Sequence, residues 1–204
     1  MIAIMDYGLG NISAFSNIYK NLGIPFNVAK TVEQLTSADR IILPGVGSFD
    51  NAMKLLKSSG LYGALNRVVL EEGVPILGVC VGMQMLAASS DEGSELGLGW
   101  IDGVVKKIDS AAVAGGLILP HMGWNEVRSL SDNRLLEGLN LESEFYFLHS
   151  FYFHCNQATD VIADVEYGQR FTCAVNHKNI FGVQFHPEKS HRNGVRLLKN
   201  FAEL

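Results

Sequence analysis

Apolar positions change texture near the middle of the chain. Up to Gly97, short apolar or β-branched runs ("IAIMDY", "FNVAK", "RIILPG", "PILGV") alternate with stretches suited to helices: Ile12 to Leu22, "NAMKLLKSS" with "YGALNRVVLEE", and "VGMQMLAA". The runs predict buried strands and the stretches predict helices. Such alternation implies parallel strands joined by crossover helices on both faces of a central sheet, with the site at the carboxyl ends of the strands. Beyond Gly97 the pattern shifts to short β-type runs: "GVVKKI", "NEVRS", "EFYFLHSFYFHC", "DVIADVEYG", "FTCAVNH" and "IFGVQFHPE". These predict antiparallel or mixed strands that continue the same core, closed by a helix from about Asn193 to Ala202. No linker divides the halves, so the expectation is one α/β domain over residues 1–204.

The segment from Gly73 to Ser90 carries no formal charge and has the length of a membrane span. Pro75, Gly78, Gly82 and Gln84 punctuate it, however, and it divides into a strand and a helix with Cys80 at the junction. Gly78-Val79-Cys80-Val81-Gly82 is the thiol form of the nucleophile elbow G-x-S-x-G. A nucleophile at so tight a turn usually has strained backbone angles. Glycine two residues to either side avoids collisions between strand and helix and leaves the sulfur exposed. A helix beginning at the sulfur turns its free N–H groups and positive end toward a thiolate. A buried cysteine in a strand fits the same residues, so a partner base must decide.

Composition narrows the classes. At 204 residues, with 48% hydrophobic and 18% charged positions, the chain can bury roughly 70% of its unfolded surface without disulfide or metal. The net charge of −5 argues against a general nucleic-acid binder. The start "MIAIMDYGLG" lacks a basic leader and reads as a first strand rather than a signal peptide. Cys80, Cys155 and Cys173 show no C-x-x-C spacing, which fits a reduced compartment. The expectation is a cytoplasmic protein without membrane association.

Among six histidines, "VQFHPEKS" offers the best base. Pro187 pushes His186 into an extended conformation, and Glu188, two residues on, can project to the same side. A carboxylate beside an imidazole fixes its tautomer and stabilises the imidazolium formed when it takes a thiol proton. A surface turn with a solvated pair also fits "HPE". In "LPGVGSF", Pro44-Gly45-Val46-Gly47 ends a strand with two glycines that allow backbone N–H groups to face a developing oxyanion, although a plain strand-to-helix turn would use glycine too. "YGLGNIS" has Ser13 where a dinucleotide fingerprint needs its third glycine, so no dinucleotide cofactor is expected. His149 and His154, five apart on one expected strand, would face opposite sides, so no metal pair is expected. Cys155 and Cys173 read as core thiols.

"LPGVGSF", "GVCVGMQML" and "VQFHPEKS", in this order and spacing, resemble the class I (triad-type) glutamine amidotransferases, which hydrolyse glutamine to glutamate and pass ammonia to a synthase. "MDYGLGN", "PHMGWNEV" and "YFLHSFYF" resemble one branch of that family, the glutaminase subunits of imidazole glycerol phosphate synthase in histidine biosynthesis. The likeness covers essentially the whole chain, and Met83, where many relatives of the class have His, fits this branch. The resemblance implies a flavodoxin-like, mostly parallel central sheet with helices on both faces and additional antiparallel strands. It implies Cys80 as nucleophile, His186 as general base and acid, and Glu188 as its orienter. Gln84 and Glu92 match positions that hold the amino-acid head of glutamine, with Tyr146, His149 and Ser150 lining the same pocket. Gly45, Val46 and Gly47 match an oxyanion strand whose backbone the synthase partner reorients. Trp124 and Lys189 match the contact with a cyclase subunit, with which the chain would form a heterodimer, Lys189 pairing with a partner carboxylate. No cofactor or metal is implied.

Other readings share many of these features. Paralogues in surface-polysaccharide clusters feed ammonia to an amidino-sugar synthase, and "HSFYFHC" and the stretch from Val165 to His191 resemble that group slightly more closely. A catalytically silent partner-binding subunit would have lost a triad residue, and none is lost here. Against a thiol peptidase on the same fold stands the continuous match through "PHMGWN".

Overall fold

The computed structural model describes residues 1–111, 116–140 and 143–204. The first half runs β1 (Ile2–Met5), α1 (Ile12–Asn21), β2 (Phe26–Ala29), α2 (Val32–Thr36), β3 (Arg40–Gly45), α3 (Phe49–Ser58), α4 (Tyr62–Asn66), β4 (Ile76–Cys80) and α5 (Val81–Gln84). The second half runs β5 (Gly103–Lys107), β6 (His121–Ser129), β7 (Glu144–His149), β8 (Phe151–Cys155), β9 (Val161–Tyr167), β10 (Gln169–His177), β11 (Ile180–Val183) and α6 (His191–Glu203). A nine-stranded sheet has the order β2-β1-β3-β4-β11-β10-β9-β6-β7. Neighbours from β2 to β11 pair in parallel, and those from β11 to β7 are antiparallel. β5 and β8 form a separate antiparallel pair.

The two textures of the sequence follow from these positions. β4 is buried at every residue and β3 at all but its first, so both read as continuous apolar runs, as strands covered on both faces do. β7, at the sheet edge, alternates exposed or half-buried positions with buried ones. Of the helices, α1 is capped by Asn11, whose side chain accepts from the Ala14 N–H, and α2 opens with a capping box between Thr31 and Gln34. α1 and α6 meet where the buried Tyr19 hydroxyl donates to Leu198 O. No helix among the described residues is long and apolar enough to cross a membrane.

Three elements differ from the sequence-based expectation. The helix expected over "VGMQMLAA" ends at Gln84, because the backbone after it bonds to a returning loop. Leu98 N–H donates to Met85 O, Trp100 N–H to Leu86 O and Ala88 N–H to Gly103 O. The run "EFYFLHSFYFHC" is two strands, since the chain leaves one sheet at Ser150 and joins the other at Phe151. α2, too short to display a helical period, was not anticipated.

Candidate active site

Cys80 ends β4 with φ 55° and ψ −113°, a conformation that side chains other than glycine rarely adopt and that functional sites hold under strain. The flanking glycines are a steric necessity. A Cβ at Gly78 would lie 2.6 Å from Gly82 O, and one at Gly82 would lie 2.0 Å from Leu43 O. α5 is a single turn, so the long helix dipole expected behind the sulfur reduces to the local N–H groups of the elbow.

β11 lies parallel beside β4, and the chain runs on from it through Gln184 and Phe185 to His186. An extended segment projects alternate side chains to one side, which brings both Gln184 and His186 to Cys80. His186 Nδ1 donates to Glu188 Oε1 at 2.9 Å, leaving Nε2 for the thiol. The pair is 3% and 2% exposed, and Glu188 Oε2 has no hydrogen-bond partner among the described residues. Burial by itself would lower the His186 pKa, but hydrogen bonds and charge from Cys80 and Glu188 outweigh it and raise the value to about 10. The backbone is held as firmly as the ring. His186 N–H donates to Tyr146 O at 2.9 Å, while Ser190 Oγ donates to His186 O at 2.6 Å and accepts from Tyr146 N–H at 3.0 Å.

Around the sulfur opens a cleft of about 360 Å³, within the usual range for small-molecule sites. Val46, Gly47, Gln84, Glu92, His149, Ser150, His186 and Lys189 line it together with Cys80. Gln84 Nε2 donates to Phe151 O at 3.1 Å and to Gln184 Oε1 at 3.0 Å. Glu92 Oε2 accepts from Phe49 N–H at 2.8 Å, at the start of α3. Of the expected substrate and oxyanion residues, two lie apart from the cleft lining. Gly45 is buried where β3 presses on the elbow, with room for no Cβ. Tyr146 is not in the wall; its ring lies edge-on to Trp124 at 6.2 Å, with Lys189 Nζ 5.6 Å from its centre.

The outer face of β6 and β7 is continuous. The β6–β7 register pairs Met122 with Leu148 and Trp124 with Tyr146, so these four share one side of the sheet. Met122 is 65% exposed and Trp124 44%, and the indole stacks on His191 at 5.0 Å. His149 and His154 occupy strands of different sheets, and no group of metal ligands occurs among the described residues. Cys173 is buried, but Cys155 is only partly so and its thiol lies near Asp102 O and Gln157 O, a correction to its expected place in the core.

Residue-level reasoning missed Gln184, whose Nε2 lies 3.7 Å from Cys80 Sγ. Its place two residues before His186 was the available signal. It also missed Tyr7, whose hydroxyl donates to Pro44 O at 2.6 Å across a sequence distance no pattern reveals.

A strained cysteine at a strand end, beside a buried imidazole–carboxylate pair on an α/β sheet, is an arrangement suited to thiol chemistry. The family model described as "Glutamine amidotransferase class-I" matches residues 3–204, and the chain belongs to the class-I glutamine amidotransferase family. Within it, the chain is 54% identical over 204 residues to the "Imidazole glycerol phosphate synthase subunit HisH" of Leptospira interrogans, with 100% of both chains covered. It is 52% identical, with the same full coverage, to the protein of that name from Bdellovibrio bacteriovorus. A solved structure described as a glutamine amidotransferase matches with a TM-score of 0.75 at 20% identity, covering 100% of this chain and 99% of that one. That likeness concerns the fold alone.

Proposed function

We propose that the chain is the glutaminase subunit of an imidazole glycerol phosphate synthase. It hydrolyses glutamine and delivers the ammonia to a cyclase subunit that makes imidazole glycerol phosphate and AICAR in histidine biosynthesis. The observation that carries the chemistry is Cys80 in its strained elbow beside the buried His186–Glu188 pair. The Cys80 thiolate attacks the side-chain amide carbon of glutamine, and backbone N–H groups at Val46 and Gly47 take up the oxyanion. The His186 imidazolium protonates the amide nitrogen, so that the C–N bond breaks, ammonia leaves and a thioester remains. His186, now neutral, takes a proton from water as it attacks the thioester, glutamate departs, and the proton returns the site to its starting state. Glu188 holds the imidazole in one tautomer throughout. Gln84, Glu92, His149 and Ser150 bound the substrate, and Glu92 is suited to its ammonium group.

The choice of a cyclase over an amidino-sugar synthase rests on the name borne by relatives at 52–54% identity. The cyclase docks over the exposed Met122, Trp124 and Leu148 and the half-buried Tyr146, an apolar strip at the cleft, with Lys189 at its rim pairing with a carboxylate. Three free thiols fit a reducing, cytoplasmic setting. The test is to treat the protein with a glutamine analogue bearing an electrophilic side chain and map the adduct by mass spectrometry. Labelling at Cys80 that glutamine suppresses is the expected result, and equal labelling of Cys80, Cys155 and Cys173 would remove the assignment.

A further inference from the structure

The inward side of β6 and β7 carries a line of polar groups outside the triad. Asn125 Nδ2 lies 3.3 Å from His121 Nε2, His121 Nδ1 lies 3.0 Å from His149 Nε2, and His149 Nδ1 lies 2.8 Å from Phe151 O. A carbonyl only accepts, so His149 carries its proton on Nδ1. Burial, first of all, holds His149 neutral, with its pKa down at about 3, so its Nε2 is a lone-pair acceptor. His121 must therefore present N–H at Nδ1 and leave Nε2 to accept from Asn125. The amide of Asn125 is fixed in turn, since its Nδ2 donates to Glu166 O at 2.8 Å and its Oδ1 accepts from Glu126 N–H at 2.9 Å. Both tautomers are thus set by the ends of the line.

Neither ring has freedom to turn. His121 is 2% exposed and stacked between Phe147, with centroids 4.7 Å apart, and Tyr167, at 4.1 Å. The line ends on a wall of the cleft: Phe151 O also accepts from Gln84 Nε2, and Leu148 O lies 4.0 Å from Cys80 Sγ. This wall is where the chain crosses from one sheet to the other at Ser150, so no single strand ladder holds it.

We propose that His121 is a positioning residue for glutamine hydrolysis: by donating to His149 it fixes the Leu148–Phe151 wall against Cys80 and Gln84. Both ring nitrogens of His149 are engaged within the protein, so His149 serves the substrate through its ring face and backbone. The proposal rests on the glutaminase reading. Its spectroscopic test does not depend on activity, so the two fail separately.

His121→Phe keeps an aromatic ring between Phe147 and Tyr167 and removes the donor. His121→Asn keeps an N–H near the position of Nδ1. In the complex with the cyclase, His121→Phe should raise the KM for glutamine about tenfold, the scale of one lost hydrogen bond to a buried acceptor. Ammonia-dependent synthesis should be unchanged, and His121→Asn should recover most of the loss. A purely structural role would instead lower the amount of active enzyme and leave KM alone. Nitrogen-15 spectra of histidine-labelled wild-type protein should show His149 in one tautomer, protonated at Nδ1, and His121→Phe should keep that tautomer but shift the Nε2 resonance of His149 as it loses its donor. A wild-type KM in folded His121→Phe, or wild-type His149 protonated at Nε2, would overturn the proposal. Should His121→Phe not fold, the wild-type spectrum and the His121→Asn kinetics decide it.

Discussion

At Cys80 and His186, strain and charge act together. The elbow forces a non-glycine residue to φ 55°, and the sulfur so presented helps raise the His186 pKa to about 10. Cys80→Ala removes both the hydrogen bond and the charge from that balance while burial remains, so the His186 pKa should fall, measured by NMR titration of the ring. An unchanged value would mean that the imidazole and the sulfur do not share a proton. The buried pair His121 and His149 titrates the other way, with burial lowering their pKa values to about 4 and about 3. Above pH 6.5 both are neutral in folded and unfolded chains and their contribution to stability is intact. As pH falls, the unfolded chain takes up protons first, and stability drops by at most about 1.4 kcal/mol per pH unit for each histidine until the folded values are reached. His186 opposes this slightly near pH 6.5, where its unfolded imidazole is half protonated, and adds no slope well below it, being protonated in both states. Urea unfolding between pH 6.5 and 5 should show this loss, with about half the histidine contribution in His121→Phe. Equal slopes in the two proteins would contradict the assignment.

Among the elements, the elbow depends on contact between backbones. Gly82→Ala would drive a Cβ to 2.0 Å from Leu43 O, so β3 and the elbow must part. The expected cost is about 1–3 kcal/mol, with loss of glutaminase activity, measured by denaturation and assay. Gly63→Ala, in α4 with nothing among the described residues within 4 Å and no positive φ, should leave stability unchanged or raise it by about 0.4–1 kcal/mol. The same elements show what a sequence can carry. β3 and β4 were legible because a strand buried on both faces has no alternative to an apolar run, and the Cys80 elbow because its glycines are sterically forced. α5 was read too long, since Met85 to Ser89 are as apolar as a helix but bond to a returning loop. The break at Ser150 lies inside an unbroken aromatic run, so composition could not mark it. The residues that gather at the cleft, Cys80, His186 and Glu188 with them, could be picked out from their motifs, whereas Tyr7 and His121 make tertiary contacts that leave no local pattern.

For the whole molecule, the strand order explains why the site assembles. β3, β4 and β11 are adjacent and parallel, so the Pro44–Gly47 turn, Cys80 and the segment leading to His186 emerge together at their carboxyl ends. β6 and β7 then close one side, and their outer face leaves Met122 and Trp124 exposed. On the proposed docking, Trp124→Ala should weaken assembly with the cyclase by about 2 kcal/mol, the scale of an aromatic interface anchor, as measured by calorimetry after circular dichroism confirms the fold. Wild-type affinity would move the docking surface elsewhere. The central claim, that Cys80 of this chain liberates ammonia for a reaction in another, is tested most directly by assembling Cys80→Ala with the cyclase and assaying product formation from glutamine and from added ammonia. The account predicts that the glutamine-dependent reaction falls by about 10⁴-fold or more while the ammonia-dependent reaction proceeds at the wild-type rate. Glutamine-dependent turnover that survived the substitution, or an ammonia-dependent reaction lost along with it, would contradict the claim.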